Sequence, residues 1–201
     1  MFWSRRTLLA VAAAAILAGC HASHQWHSTD VSGTTPDLQF TLTRATDGKT
    51  VTAADYRGKI VLLYFGYTYC PDICPTTLAH VAQMLTPLDN AAKDVRVLFV
   101  TVDPERDDLK TLREYTANFG PEFVGLRGPA NELASLAKRY RVAYSVKPDP
   151  DPAKYVVSHS SVLYAFDRDG HARLLMSDLS SASPDLKEDT ADMKALIAAK
   201  D

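Results

Sequence analysis

The chain has 201 residues and carries 22 Lys plus Arg against 24 Asp plus Glu, for a net charge of −2. Near-neutral charge of mixed sign excludes the electrostatic footprint of a nucleic-acid binder. Apolar residues make up 46% of the chain, and the roughly 180 residues beyond its N-terminal segment suit a single domain with a sizeable core.

Arg5 and Arg6 precede the apolar stretch Leu8 to Leu17, and Leu17-Ala18-Gly19-Cys20 closes it. That stretch is too short to span a bilayer comfortably, and its layout is that of a cleaved secretory signal. Leu-Ala-Gly-Cys resembles a bacterial lipobox, and Ser4-Arg5-Arg6-Thr7-Leu8-Leu9 faintly resembles a twin-arginine signal. Residues 1–20 are therefore expected to be a lipoprotein-type signal peptide, with Cys20 as the lipid-modified first residue of an exported, periplasmic, membrane-anchored protein. Residues 21–36 read as a polar tether and 37–201 as the folded domain. His21, His24 and His27 are spaced for weak capture of copper(II) or zinc beside the membrane; the alternative is a polar tether that happens to contain histidines.

Leu38 to Leu42 alternates as a strand should, and Asp47-Gly48 supplies a hairpin turn before Thr50-Val51-Thr52. Asp55 to Lys59 is a short turn or helix leading into Ile60 to Phe65, an unbroken apolar strand of the kind found at the centre of a sheet covered on both faces. Leu78, Val81, Ala82 and Leu85 recur at helical spacing, and Pro87 marks an end or a kink. Val95 to Val102 is a second central strand, Leu109 to Phe119 an amphipathic helix, Phe123 to Leu126 a strand and Asn131 to Tyr140 another helix. Ser160 to Phe166 and Ala172 to Ser177 form a hairpin across Asp167-Arg168-Asp169-Gly170, and Leu186 to Ala199 a terminal helix. Strands alternating with helices, then a hairpin and a helix, predict an α/β fold with an antiparallel end. The expected architecture is a thioredoxin-like three-layer sandwich with a central mixed sheet and an N-terminal hairpin extension.

Cys70-Pro71-Asp72-Ile73-Cys74 places two thiols between the first central strand and the helix that follows it. With Cys74 near the N-cap and Pro75 near the first helical position, the proline loses nothing, because that amide is unpaired anyway. The free amides and positive dipole end of the helix favour thiolate, the form that binds metal and attacks disulfides. Once Cys20 is assigned to lipid, these are the only thiols left, and so short a loop would constrain the unfolded chain very little if closed. The pair reads as chemistry rather than as a staple. Two inert core cysteines are the bland alternative, and the proline-rich, polar stretch Tyr67 to Pro75 argues against it.

His159 precedes the predicted strand at Ser160, after the proline-rich loop Lys147 to Pro152. In a thioredoxin-like sheet the segment entering that strand approaches the thiol loop. Cys70, Cys74 and His159 would then form a soft, nitrogen-tolerant set: thiolates select copper(I), and the imidazole accommodates copper(II) or zinc. Zinc would want a fourth ligand. The Cys-x-x-x-Cys spacing is one residue wider than that of disulfide oxidoreductases, which suits a metal between the sulfurs yet still allows a disulfide. Asp103-Pro104-Glu105-Arg106-Asp107 follows the second central strand and so lies at the same sheet edge. It reads either as a loop supporting the site or docking a partner, or as a solvated turn. Asp72 either adjusts the local field or is simply solvated, and His80 and His171 read as surface residues.

Tyr67-Thr68-Tyr69-Cys70-Pro71-Asp72-Ile73-Cys74-Pro75, Val102 to Asp107 and His159-Ser160 together resemble the Sco/SenC family. The similarity covers essentially the whole exported domain, including Thr29-Asp30-Val31-Ser32-Gly33. It implies a thioredoxin-fold, membrane-anchored protein that delivers copper to the CuA centre of cytochrome c oxidase, with Cys70, Cys74 and His159 as copper ligands. Ser158 departs from the pattern, standing where the family often has an acidic residue.

Three activities are compatible with these residues. The first is a copper chaperone whose partner is the CuA-bearing oxidase subunit or another periplasmic copper protein. The second is a thiol-disulfide oxidoreductase in which Cys70 and Cys74 form the redox pair that reduces an acceptor's cysteines. A peroxidase is the third and weakest, because Thr68 stands two residues before Cys70 where the peroxiredoxin pattern needs three.

Overall fold

A computed structural model of the chain describes residues 24–151 and 155–199. The expected signal peptide, Cys20 and His21 lie outside the described residues. In chain order the strands are β1 (Thr29–Asp30), β2 (Thr41–Arg44), β3 (Thr50–Thr52), β4 (Ile60–Gly66), β5 (Val95–Thr101), β6 (Phe123–Arg127), β7 (Tyr144–Lys147), β8 (Val156–His159), β9 (Leu163–Phe166) and β10 (Ala172–Met176). The helices are α1 (Ile73–Leu85), α2 (Leu109–Ala117), α3 (Ala130–Arg139) and α4 (Leu186–Ala198), with tighter helical turns at Ala53–Tyr56, Thr86–Asp94 and Asp178–Ser180. Among the described residues, no helix is long and apolar enough to cross a membrane.

Eight strands form one mixed sheet in the order β1-β10-β9-β4-β5-β6-β2-β3, while β7 and β8 form a separate two-stranded sheet. Every residue of β4 is buried, as its unbroken apolar sequence requires at the sheet centre. β4, β5 and β6 run parallel, and β9 joins β4 antiparallel. In register, Tyr64, Phe99 and Gly125 lie side by side, so their side chains share one face. The α2 residues Leu112 and Tyr115 cover that face: Leu112 Cβ lies 3.0 Å from the Cβ position of Gly125, and the Phe99 and Tyr115 rings are 5.3 Å apart. Tyr140, just beyond α3, packs on Tyr164 and Phe166 of β9 at 5.8 and 5.6 Å. Tyr164 pairs with Leu63, one residue out of phase with Tyr64, so Tyr140 covers the opposite face. α4 packs on α1, with Thr190 Oγ1 donating to the Met84 carbonyl at 3.1 Å. The result is the expected three-layer α/β sandwich.

The predicted elements shift at their ends for local reasons. The Leu38–Leu42 alternation does point Leu38, Phe40 and Leu42 inward, but the ladder begins only at Thr41, where β3 offers partners. α1 stops at Leu85 and tightens through Thr86–Asp94, so Pro87 ends the helix rather than kinking it. Helix α1 starts at Ile73 with Asp72 as its N-cap, which puts Cys74 and Pro75 inside the first turn. Proline still forfeits nothing there, because the first four amides of a helix lack intrahelical partners. Part of the 21–36 stretch belongs to the folded body: β1 pairs with β10, Thr29 opposite Leu175.

At the end of β4, Gly66 is required by close approach. A Cβ there would lie 2.6 Å from a Phe99 ring carbon and 3.0 Å from Cys74 Sγ. Phe99 is a rigid ring with no exposed surface, so it cannot swing away. Gly66→Ala is expected to lower stability by about 1–3 kcal/mol, the usual cost of overpacking, in chemical denaturation; an unchanged midpoint would show that the contact is loose.

Candidate metal centre

β4 and β5 are parallel neighbours, so the loops leaving them emerge at one edge of the sheet. The first carries Cys70, and α1 begins immediately beyond it with Cys74. β9 runs antiparallel to β4 with Leu163 opposite Tyr64. The chain entering β9 therefore arrives at that same edge, and His159 ends β8 four residues before Leu163.

One ligand atom from each of Cys70, Cys74 and His159 lies within 4.8 Å of the others, the only such His, Cys or acidic trio among the described residues. Cys74 Sγ is 3.1 Å from His159 Nε2. His159 Nδ1 donates to the Ser160 carbonyl at 3.0 Å, which leaves Nε2 as a bare acceptor facing the sulfur. Bonds of about 2.0–2.3 Å around a tetrahedral ion separate its ligand atoms by roughly 3.5 Å. The trio therefore fits a soft metal with little movement and leaves a position open to a further ligand. The imidazole is held edge-on by Tyr64 at 6.1 Å and Tyr67 at 5.9 Å between ring centroids. Both tyrosines are buried, so the back of the site is dry.

The two thiols are free and unequal: Cys70 is half-buried and Cys74 is fully buried. A hydrogen bond from the Cys74 thiol outweighs partial burial and, with the Cys74 and Asp72 amides, holds Cys70 down to about 5. The Cys74 amide donates to Cys70 Sγ at 3.4 Å. That same thiol–thiol bond, together with burial, pushes Cys74 far above the usual thiol range. At neutral pH the pair thus shares one proton, with the negative charge on the outer sulfur. A metal taking both sulfurs displaces that proton.

The Asp103–Asp107 loop is no solvated turn. Asp107 has no exposed surface and accepts from Thr68 Oγ1 at 2.5 Å, Thr68 N at 3.1 Å and Thr101 Oγ1 at 2.6 Å. From β6, Arg127 donates to the carbonyls of Asp107 and Pro104 at 3.0 and 2.8 Å. Thr68 stands two residues before Cys70, so the loop after β5 fixes the start of the thiol loop. Sequence reasoning left this role undecided, because nothing local in Asp-Pro-Glu-Arg-Asp says which carboxylate turns inward. The pairing of β7 with β8 on either side of the proline-rich loop Lys147 to Pro152 is not evident from the sequence, because each flanking alternation is only four residues long.

Other sequence-level candidates do not join this centre. Asp72 is exposed; its amide reaches Cys70, its carbonyl accepts from the Thr76 amide at 3.1 Å, and its carboxylate lies 3.4 Å from Thr76 Oγ1. His80 is half-buried, bonded at 3.0 Å to the Leu179 carbonyl, and His171 is exposed beside Asp37. His24 Nε2 binds Asp192 at 3.0 Å, and His27 Nε2 lies 3.8 Å from Asp178. These two histidines are thus engaged by carboxylates and belong to no metal-sized group of three or more ligands among the described residues.

A family model described as SCO1/SenC matches residues 30–195. The bovine mitochondrial SCO2 homolog is 38% identical over 154 residues, covering 76% of this chain and 56% of its own length. The chain spans about half the length of the curated relatives it matches. Among solved structures, Bradyrhizobium japonicum ScoI with copper bound is 36% identical with a TM-score of 0.70, covering 80% of this chain and 98% of that one. Apo Sco1 from Thermus thermophilus is 31% identical with a TM-score of 0.74, covering 87% and 99%. A thioredoxin-like sandwich whose thiol loop and late histidine meet at one edge, matched along most of its length by this one family, belongs to SCO1/SenC.

Proposed function

We propose that this chain is a membrane-tethered copper-binding protein that holds copper through Cys70, Cys74 and His159 and delivers it to the CuA centre of cytochrome c oxidase or to another periplasmic copper protein. The observation that carries this reading is the convergence of two sulfurs and a correctly presented imidazole nitrogen within 4.8 Å. Copper here is cargo, and its chemistry follows from the ligands. Two thiolates suit copper(I); the added imidazole makes copper(II) acceptable. Relatives solved with copper bound support the choice of metal.

Delivery needs a surface on which an acceptor can sit while ligands exchange. The large apolar side chains exposed among the described residues are Tyr69, Ile73, Val146 and Val156. Two lie on the segment bearing the thiols and two on the hairpin bearing His159. An apolar rim confined to those segments is suited to transient protein docking. The lipobox-like Leu17 to Cys20 supports a lipid anchor on the periplasmic side, with the residues that follow holding the domain near its membrane-bound acceptor.

Anaerobic copper titration of the reduced protein tests the ligand set. His159→Ala should weaken copper(II) binding by at least the roughly 10–100-fold that loss of a mere outer partner costs, while copper(I) affinity falls far less. An unaltered copper(II) spectrum and affinity would end the three-ligand reading. Ile73→Ser and Val146→Ser should leave copper affinity unchanged yet slow transfer to a cysteine- and histidine-bearing acceptor severalfold; transfer at the original rate would remove the docking role of the rim.

A second reading, thiol-disulfide oxidoreductase, is favoured by the inequality of the two thiols. The accessible Cys70 thiolate attacks an acceptor disulfide and forms a mixed disulfide. Cys74 then gives up its proton and attacks Cys70, which releases the reduced acceptor and leaves both electrons with it. Alkylation of Cys70 in the metal-free protein should rise with pH through about 5 and be level by neutrality. A midpoint near that of an ordinary thiol, about 8.5, would remove the basis for this activity.

A further inference from the structure

His159 rides on an element with little support of its own. β7 and β8 pair only with each other, Tyr144 opposite His159 and Lys147 opposite Val156, and share no ladder with the main sheet. An isolated two-stranded ribbon is marginal in water. Something outside it must keep the imidazole over the sulfurs.

Arg106 is placed to do so. Its Nε donates to Asp103 Oδ2 at 2.5 Å, and its Nη1 donates to the Tyr155 carbonyl at 3.1 Å. The guanidinium carbon lies 3.7 Å from the ring centroid of Tyr155, 5.0 Å from that of Tyr69 and 5.8 Å from that of Tyr67. The Tyr155 hydroxyl donates to the other oxygen of Asp103, so one carboxylate holds both the cation and the phenol. Tyr155 immediately precedes β8 and stands four residues before His159. Tyr67 and Tyr69 stand on the thiol loop, just before Cys70. A single planar cation therefore bonds to the histidine-bearing segment and stacks against both.

Stability alone does not account for this arrangement. The Arg106 and Asp103 side chains are only 14% and 3% exposed, so the pair is desolvated, and Arg106 Nη2 is buried with no partner. Buried ion pairs commonly gain little over apolar packing of the same volume. What this one provides is a fixed geometry between two chain segments, through the fork and flat face that arginine has and lysine lacks.

We propose that Arg106, held by Asp103 and Tyr155, is a positioning residue that latches the β7–β8 hairpin to the thiol loop, and that it thereby sets whether the centre offers two sulfurs alone or two sulfurs plus the imidazole. With the latch closed the site accepts copper(II); with it loosened the site is a two-thiolate site suited to copper(I). This rests on the ligand assignment made under the proposed function.

Amide hydrogen exchange on the metal-free full chain reads the latch without copper. Arg106→Ala should speed exchange of the hairpin-pairing amides in β7 and β8 by about tenfold or more while β4 and β5 amides keep their rates. In copper titrations the same variant should lose about tenfold in copper(II) affinity, the size of a typical pairwise coupling, together with nitrogen coupling in the electron paramagnetic resonance spectrum. Copper(I) affinity should change by less than about threefold, within the spread of near-additive effects. Arg106→Lys should not rescue, and Arg106→Ala should add nothing to the copper(II) defect in a His159→Ala background. Full nitrogen coupling and copper(II) affinity in Arg106→Ala, or an equal further loss in the His159→Ala background, would overturn the proposal. Where Arg106→Ala fails to fold, Tyr155→Phe carries the test, because it removes only the hydroxyl that ties the hairpin to Asp103; unchanged hairpin exchange and nitrogen coupling in that variant overturn the latch. If His159→Ala itself leaves copper(II) binding intact, the ligand assignment fails, while hairpin exchange still decides whether the latch exists.

Discussion

The antiparallel seating of β9 against β4 is the constraint on which the centre depends. Leu163 opposite Tyr64 brings the chain entering β9 to the edge where β4 releases the thiol loop. Had β9 joined the sheet parallel, the histidine would lie at the far end of the strands. β4 can accept neighbours on both sides because all seven of its residues are apolar or glycine and buried. The central strand and the antiparallel partner beside it therefore turn an 85-residue separation between Cys74 and His159 into a contact of 3.1 Å.

Around that contact the protein separates two nearly identical side chains by environment. Cys74 lies in α1 against Gly66 and the face formed by Tyr64 and Phe99, and its hydrogen bond to Cys70, together with burial, keeps it protonated until something displaces the proton. Cys70 sits outside the helix, where the Cys74 thiol and then the amides of Cys74 and the N-cap Asp72 reach its sulfur and stabilise charge. The outer sulfur is the accessible nucleophile or first ligand, and the inner one completes the bond. The same asymmetry serves metal capture and thiol exchange, and it explains why both readings arise from one pair.

Polar groups tie the loops at this edge together. Asp107 binds Thr68 from below the thiol loop, and Asp103 binds Arg106 and Tyr155 beside the hairpin, so two carboxylates of one short loop address the two halves of the centre. Beside β1, Asp192 of α4 accepts from the His27 and Ser28 amides and bonds His24. Burial works against its charge, yet these bonds hold it below the ordinary carboxylate range. The stretch leading into β1 is thereby docked on the domain rather than free of it.

Local pattern was enough to locate most of the fold. The unbroken apolar run of β4, the helical spacing of Leu78, Val81 and Leu85, and the Asp47-Gly48 turn each report a period or a backbone preference that neighbouring residues settle among themselves. The thiol spacing likewise declared its chemistry, and the strand–helix order placed His159 near it. The inward turn of Asp103 and Asp107, the β7–β8 pairing and the seat of Arg106 among three tyrosines were not legible in this way. Thr68 with Asp107, Arg106 with Tyr155 and Asp103 with Tyr155 meet across 39, 49 and 52 positions, β7 meets β8 across a proline-rich stretch, and which polar atoms lose water is settled only when the segments meet. An acidic side chain in a loop looks the same in sequence whether it faces solvent or replaces solvent for a buried amide, and only the packed structure decides which.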